Sequence, residues 1–384
     1  MVELKMKVAI VTHFPQDPDA PKGGVEAVCV NLTQSLSTFN DLELHVVTLD
    51  SNCSTKTDSK WNDVTIHRLP GLKGSVLLNA IGPGRRIISK FLVDLAPDVV
   101  HAHDTYGLIV RGLLIPRVFT VHGFIYGDTL VSGKKLPWFR SKIWRWVETS
   151  GWADQPHIIS ISPYVRERLR GIATGVIHDI DNPISERFFE ISRNERKGVI
   201  FSAAVISPRK NTLTLIDSFA KLISQGIDAE LRLAGSVVEP SYGRLIEERI
   251  NIHRLQDRVI VLGRISTDQV MKELSSASIF ALVSLEENSP MGIEEAMAAR
   301  VPVVTSNRCG MPYLVRHGET GFLVDPEDSE DVAWRMKQLL EDDTLRSKMG
   351  EKSHLIAQDR FHPKVVARRT REVYFEAVRG HDKI

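Results

Sequence analysis

Short apolar runs rich in β-branched residues, regularly interrupted by helical patterns, constrain this chain more than any other feature. KVAIVTHF, LELHVVTL, DVVHAH, RVFTVHG and HIISIS come first, with VEAVCVNLTQSL and RIISKFLVDL among the segments between them. Strands with one wet face alternate apolar and polar positions. These runs are apolar throughout, so both faces of their sheet must be covered, which calls for parallel strands joined by crossover helices. After the polar stretch IDNPISERFFEISRNERKG the rhythm restarts with VIFSAAVIS, AELRLAGS, RVIVLGR, ASIFALVS, VPVVTS and TGFLVD. Two doubly wound α/β domains meeting near residues 184–196 follow, and 384 residues suffice for two such cores. The boundaries are set at 1–186, 187–360 and 361–384. The last segment contains PKVVARRTREVYFEAV, an amphipathic helix expected to cross back to the first domain. Ligands of open parallel sheets bind beyond the carboxyl ends of the strands, so the expected site is a cleft faced by the two domains.

Charge and composition exclude several classes. With 49 lysines and arginines against 48 aspartates and glutamates, no global field points to nucleic acid. Three isolated cysteines, Cys29, Cys53 and Cys309, form neither a paired framework nor a metal spacing and suit a reducing cytoplasm. No secretory signal or membrane-spanning run is visible. Residues 134–152, KKLPWFRSKIWRWVETSGW, interleave tryptophan and phenylalanine with basic residues. That pattern fits either a peripheral helix at the inner face of a membrane or a core helix whose cations snorkel outwards.

Neither G-x-G-x-x-G after a strand nor G-x-x-x-x-G-K-[ST] occurs, which removes the dinucleotide fingerprint and the Walker loop. Gly23 and Gly24 lie between the first strand and first helix, where they serve either a turn or close approach of backbone to phosphate. HAHD, residues 101–104, and DID, residues 179–181, have metal-like spacing, but no third ligand cluster accompanies them, so each is either a metal site or, more in keeping with so few ligands, structural. His122 ends a strand-like run and is either structural or aimed at the site. Arg209 and Lys210 open a helix after the first strand of the second half, either as a solvated basic turn or, since cations there oppose the helix dipole, as a site for an anion between them. Finally, LEENSPMGIEEAMAARVPVV places Ser289 as N-cap and Pro290 as first helical residue of a helix buried nearly all round. Glu295 is then a charge in a confined place, either paired with a cation or satisfied by a ligand. Glu287 lies just ahead of the helix start, either as solvated loop or beside a bound anion.

Taken together, GGVEAV, DVVHAHD, FTVHG, HIISISPYVRERL, DNP, SPRKN, LRLAG, SLEENSPMGIEEAMAARVPVV and CGMPYLVRHGETGFLVDPED make the chain resemble a family 4 retaining glycosyltransferase of the GT-B fold. The most specific motif is the pair of glutamates separated by seven residues, Glu287 and Glu295, followed by GETGFLV. The resemblance implies a second domain that holds a nucleoside-diphosphate sugar, with UDP the expected nucleotide, and a first domain that holds the acceptor. It implies that Glu295 bonds the ribose hydroxyls, Glu287 a donor-sugar hydroxyl and Lys210 the phosphates. Gly24, with Gly23, would approach the diphosphate, His122 the donor sugar, and Asn288, Ser289, Pro290, Met291 and Gly292 would cradle sugar and diphosphate. Glu287, Lys210 and His122 are the expected catalytic residues, with no cofactor and no metal. Two departures stand out. Val205 occupies the neighbourhood where members usually carry an arginine ahead of the lysine, leaving Arg209 or Arg264 to replace it. NSP at 288–290 stands where glycine and an aromatic are usual. The alternatives are a nucleotide-sugar-binding protein of the same fold with weak or lost turnover and a nucleotide-sugar epimerase.

Overall fold

A computed structural model describes residues 5–72, 76–124, 126 and 137–381. Among them the chain forms two compact units, one gathering residues up to 183 together with 363–381, the other 184–362.

The first unit is an eight-stranded sheet in the order β3-β4-β2-β1-β5-β6-β7-β8. Its strands are β1 (Met6–Val11), β2 (Leu42–Asp50), β3 (Thr57–Trp61), β4 (Val64–Pro70), β5 (Val99–His103), β6 (Arg117–Val121), β7 (His157–Ser160) and β8 (Val176–Asp179). All neighbours pair in parallel except β3 with β4. The central strands β5 and β6 are buried at every position, as continuous apolar runs require. Helix α1 (Gly24–Leu36) follows β1, and helix α2 (Pro137–Trp152) lies between β6 and β7.

The second unit is a six-stranded, all-parallel sheet in the order β11-β10-β9-β12-β13-β14. These are β9 (Val199–Ala203), β10 (Glu230–Ala234), β11 (Val259–Gly263), β12 (Ile279–Leu282), β13 (Val303–Ser306) and β14 (Gly321–Val324). Helix α3 (Thr212–Ser224) follows β9 and helix α4 (Met291–Ala298) follows β12. Two buried clusters line the faces of this sheet, one around Ile216, Phe219 and Met336, the other around Phe201, Phe280 and Met297.

Helix α5 (Pro363–His381) returns to the first unit, as expected from its amphipathic pattern. Its apolar face, Val366, Val373, Tyr374 and Ala377, joins the core beneath β1 and α1. The Tyr374 hydroxyl bonds His101 Nδ1 at 2.7 Å, and the Arg371 guanidinium bonds the Asp41 carboxylate at 3.1 Å.

Every strand-like run named above is a strand. Three further strands carry no such run: β3 is largely exposed, β8 is partly exposed, and β4 pairs with both β2 and β3.

Candidate functional site

The site residues of the second unit collect beyond the carboxyl ends of β9 and β12. After β9 the chain makes a single turn of 3₁₀ helix, Pro208–Lys210, and Asn211 then adopts a left-handed conformation at φ 56° before α3 begins. Arg209 and Lys210 thus stand in the approach to α3 rather than in its first turn. Asparagine suits this position because its short amide tolerates the left-handed region and bonds nearby backbone. Here Nδ2 donates to the carbonyls of Val283 at 3.2 Å and Pro326 at 2.7 Å. The Leu285 N–H donates to the Arg209 carbonyl at 2.9 Å, which fixes the turn against the loop after β12.

That loop carries Glu287, only 7% exposed, into contact with both cations. Lys210 Nζ bonds its Oε1, and an Arg209 terminal nitrogen lies 3.3 Å from its Oε2 and 2.8 Å from the Glu286 carbonyl. Burial pulls the Glu287 carboxyl upward, but the Lys210 ammonium and then the Arg209 guanidinium outweigh it and hold it below the ordinary glutamate value. Glu287 is therefore neither solvated nor free: it is the charged partner of the SPRKN turn.

Helix α4 starts one residue later than its sequence pattern indicates. Pro290 is the N-cap, with extended backbone, and no side chain caps the helix. The Ser289 hydroxyl, expected in that role, donates instead to Glu294 Oε1 at 2.5 Å. Glu294 is fully buried with Ile293, Ala296, Met297 and Ala298, so the helix is enclosed on most sides. Gly292 lets it approach β9: a Cβ there would lie 3.0 Å from the Ala203 carbonyl oxygen. Gly310 is tighter still, since its Cβ would fall 1.9 Å from the Asn288 carbonyl oxygen, and its N–H holds the Glu287 carbonyl at 2.8 Å.

Glu295 reverses the expectation of a charge in a confined place. It is half-buried, has no hydrogen-bond or ion-pair partner among the described residues, and desolvation pushes its carboxyl up to about 8. At neutral pH it is mostly protonated, able to donate as well as accept. Arg264, just past β11, is exposed, and the cations paired with Glu287 among the described residues are Lys210 and Arg209. Val205 is 42% exposed. Of the two arginines considered as replacements for the missing cation, Arg209 is the one beside Lys210.

Three expected site residues belong to the first unit. Gly23 is the extended N-cap of α1, with no atom within 4 Å of where a Cβ would stand, and Gly24 is the first helical residue. His122 follows β6, where its Nε2 meets His103 Nδ1 at 2.9 Å and its N–H donates to Asp104 at 3.2 Å. Burial lowers its pKa, against the raising effects of Asp104 and Asn182, so the ring is neutral at pH 7. Cys29 of α1, His103 and His122 bring three ligand atoms within 4.8 Å of one another. Burial pushes the Cys29 thiol up to about 12 and Thr12 Oγ1 shares it at 3.0 Å, so this group is set up as a packed, uncharged cluster. His101 is a core residue between Tyr374 and Thr120, and Asp179 pairs with Arg166 at 2.5 Å, so of the HAHD and DID residues it is His103 that joins a group of ligand atoms, with Cys29 and His122.

A cavity of about 650 Å³ opens in the first unit at the carboxyl ends of β1, β2 and β4, lined among others by His13, Gln16, Lys22, Asp50, Arg68 and Tyr106. Arg68 donates to the carbonyls of Phe14 at 3.2 Å and Pro15 at 2.6 Å, pinning the loop after β1 as one wall. Of these residues only His13, near the end of the run KVAIVTHF, lies in a segment named from sequence. The available signal is the proline- and aspartate-rich loop FPQDPDAPKGG between β1 and α1.

Two family models match: glycosyltransferase family 4 over residues 22–187 and glycosyl transferases group 1 over residues 183–355. The chain belongs to the family 4 glycosyltransferases. An uncharacterized glycosyltransferase of Methanocaldococcus jannaschii is 25% identical over 341 residues, covering 86% of this chain and 88% of that protein. The N-acetyl-alpha-D-glucosaminyl L-malate synthase of Bacillus anthracis is 27% identical over 190 residues, 50% of this chain and 48% of that protein. Among solved structures, sucrose-phosphate synthase from Thermosynechococcus elongatus aligns with a TM-score of 0.83 at 19% identity, over 98% of this chain and all of that one. Anabaena HepE in complex with UDP-glucose aligns with a TM-score of 0.73 at 17% identity, over 97% of this chain and all of that one. These two likenesses establish the GT-B fold.

Proposed function

We propose that this glycosyltransferase moves a sugar from a nucleoside-diphosphate sugar to an acceptor hydroxyl with retention of anomeric configuration. One observation carries the reading: Lys210, Arg209 and Glu287 form a cation–carboxylate cluster beside the uncapped start of α4, and the same helix presents an unpartnered Glu295. Uncapped backbone N–H groups and two cations suit a diphosphate. A protonated carboxyl suits hydroxyls, because it donates to one oxygen while accepting from another. Glu295 is accordingly assigned to the ribose hydroxyls and Glu287 to a hydroxyl of the donor sugar. UDP, the nucleotide bound by HepE, is the first nucleotide to test.

In the transfer, the bond from the anomeric carbon to the phosphate oxygen breaks, and the acceptor oxygen bonds the same face of that carbon. The acceptor proton passes to the departing phosphate oxygen. Negative charge builds on the diphosphate as it leaves, and Lys210, Arg209 and the α4 amides stabilise it, a task that needs no divalent metal. Lys210 and Arg209 must then both shift from Glu287 toward the phosphates when donor arrives, which leaves Glu287 to accept from the sugar. The acceptor is assigned to the first-unit cavity lined by His13, Asp50 and Arg68.

The test is nucleoside-diphosphate release across a panel of donors and acceptors, with NMR of the anomeric product. Retention is expected, with Lys210→Ala and Glu287→Ala each slower by about 10²–10³. An inverted product removes the same-face mechanism, and release by Glu287→Ala at the wild-type rate removes its role.

A further inference from the structure

Helix α2 is fastened to the first unit by one face only. The Ser141 hydroxyl donates to the Tyr126 carbonyl at 2.8 Å, and Glu148 accepts from the Tyr126 N–H at 3.0 Å. Val147 and Trp152 are buried, and Trp144 packs on the same core. Gly151 sits so close that a Cβ would stand 2.7 Å from Leu108 Cδ2.

The opposite face has no cover. Trp138 is 63% exposed, Phe139 57%, Ile143 41% and Trp146 73%. Residues four apart on a helix share a stripe, so Trp138, Lys142 and Trp146 line up, with Phe139 and Ile143 beside them. Lys142 Nζ lies 3.8 Å from the Trp138 ring centroid, and Arg145 is exposed on the other flank. The helix has a single acidic residue, Glu148, and it is turned inward. The outer face is thus aromatic and positive, with no acid of its own helix to balance it.

Large apolar side chains left in water are unfavourable and mark a contact surface. Tryptophan interleaved with cations suits the headgroup boundary of an anionic bilayer, where rings sit among acyl carbonyls and cations meet phosphates. A second copy of the chain fits less well, since a two-fold contact through this patch would set one positive face, with no acid on its helix, against another. The helix is too short and polar to cross a bilayer, and no helix among the described residues is long and apolar enough to do so. We propose that α2 docks the first unit on an anionic membrane surface, with Trp138, Phe139, Ile143 and Trp146 in the headgroup layer and Lys142 and Arg145 on lipid phosphates. Lys134 and Lys135 of the same basic stretch lie outside the described residues, as does the side chain of Arg140.

The full chain is sedimented with vesicles of phosphatidylcholine mixed with phosphatidylglycerol and, separately, of phosphatidylcholine alone. Strong binding is expected only with the anionic lipid. Lys142→Ala/Arg145→Ala is expected to weaken that binding by about tenfold or more. Trp138→Ala/Trp146→Ala should abolish it while leaving the melting temperature unchanged, because both rings are exposed. No binding to either vesicle, or binding that both double variants retain, overturns the proposal. So does a wild-type dimer in solution that Trp138→Ala/Trp146→Ala converts to monomer, since the face then belongs to a second copy.

Discussion

Glu287 and Glu295 share one loop and helix start, yet their surroundings push them in opposite directions. Glu287 is held below its ordinary value by Lys210 and Arg209, so its stabilising charge is present above the unfolded glutamate pKa and is lost as pH falls through the folded one. Glu295 is raised to about 8, so the folded state keeps a proton that the unfolded chain releases from about pH 4.5 upward. Its favourable contribution is complete below the unfolded pKa and is lost as pH rises towards 8. Glu295→Gln is therefore expected to match wild type in thermal stability near pH 4.5 and to exceed it at pH 8, by on the order of 3 kcal/mol. Melting curves across that range read the difference, and equal curves at pH 8 would show that Glu295 titrates normally. Val205 offers a gain-of-function test. An arginine in its place adds a cation on the approach to Lys210, and about a tenfold gain in UDP affinity is expected from one charge-assisted phosphate contact. The helix-start pattern marked both glutamates but could not pair Glu287 with its cation, because Lys210 meets it only through the turn that Asn211 fixes between β9 and β12.

Strands buried on both faces were mostly legible, with β4 the exception because His67 and Arg68 interrupt its apolar residues. β5 reads as an apolar run because water touches neither face, whereas TDSKW of β3 is polar because it pairs on one edge only, with β4. The start of α4 was misplaced by one residue because Ser289 spends its hydroxyl on Glu294 instead of the backbone. The loop before α4 has a packing limit that its sequence hides: Gly310 leaves no room for a methyl group against Asn288. Gly310→Ala is expected to displace residues 287–288, raising donor KM at least tenfold and lowering the melting temperature, which kinetics and calorimetry together read. Helix α5 makes a separate prediction. Tyr374→Phe removes the bond to His101 Nδ1 in a fully buried place and should cost about 1 kcal/mol in chemical denaturation without changing donor KM.

Across the whole molecule, the residues that the family motifs name for the donor fall largely into the second unit. The doubly wound pattern was readable from chain rhythm alone. The first-unit cavity was not, because its walls come from strand ends and from a loop without regular pattern, tied down by Arg68 at the Phe14 carbonyl and by Asp50 at the Gln16 amide. In the mechanism we propose, the second unit holds a nucleoside diphosphate between Lys210 and the start of α4, with Glu295 on the ribose. Calorimetric titration of UDP, and of ADP and GDP in parallel, into the full chain tests it most directly. One nucleoside diphosphate is expected to bind wild type with one-to-one stoichiometry, and Lys210→Ala and Glu295→Ala are each expected to weaken it at least tenfold. Binding of none of the three, or equal binding by wild type and both variants, would contradict the account.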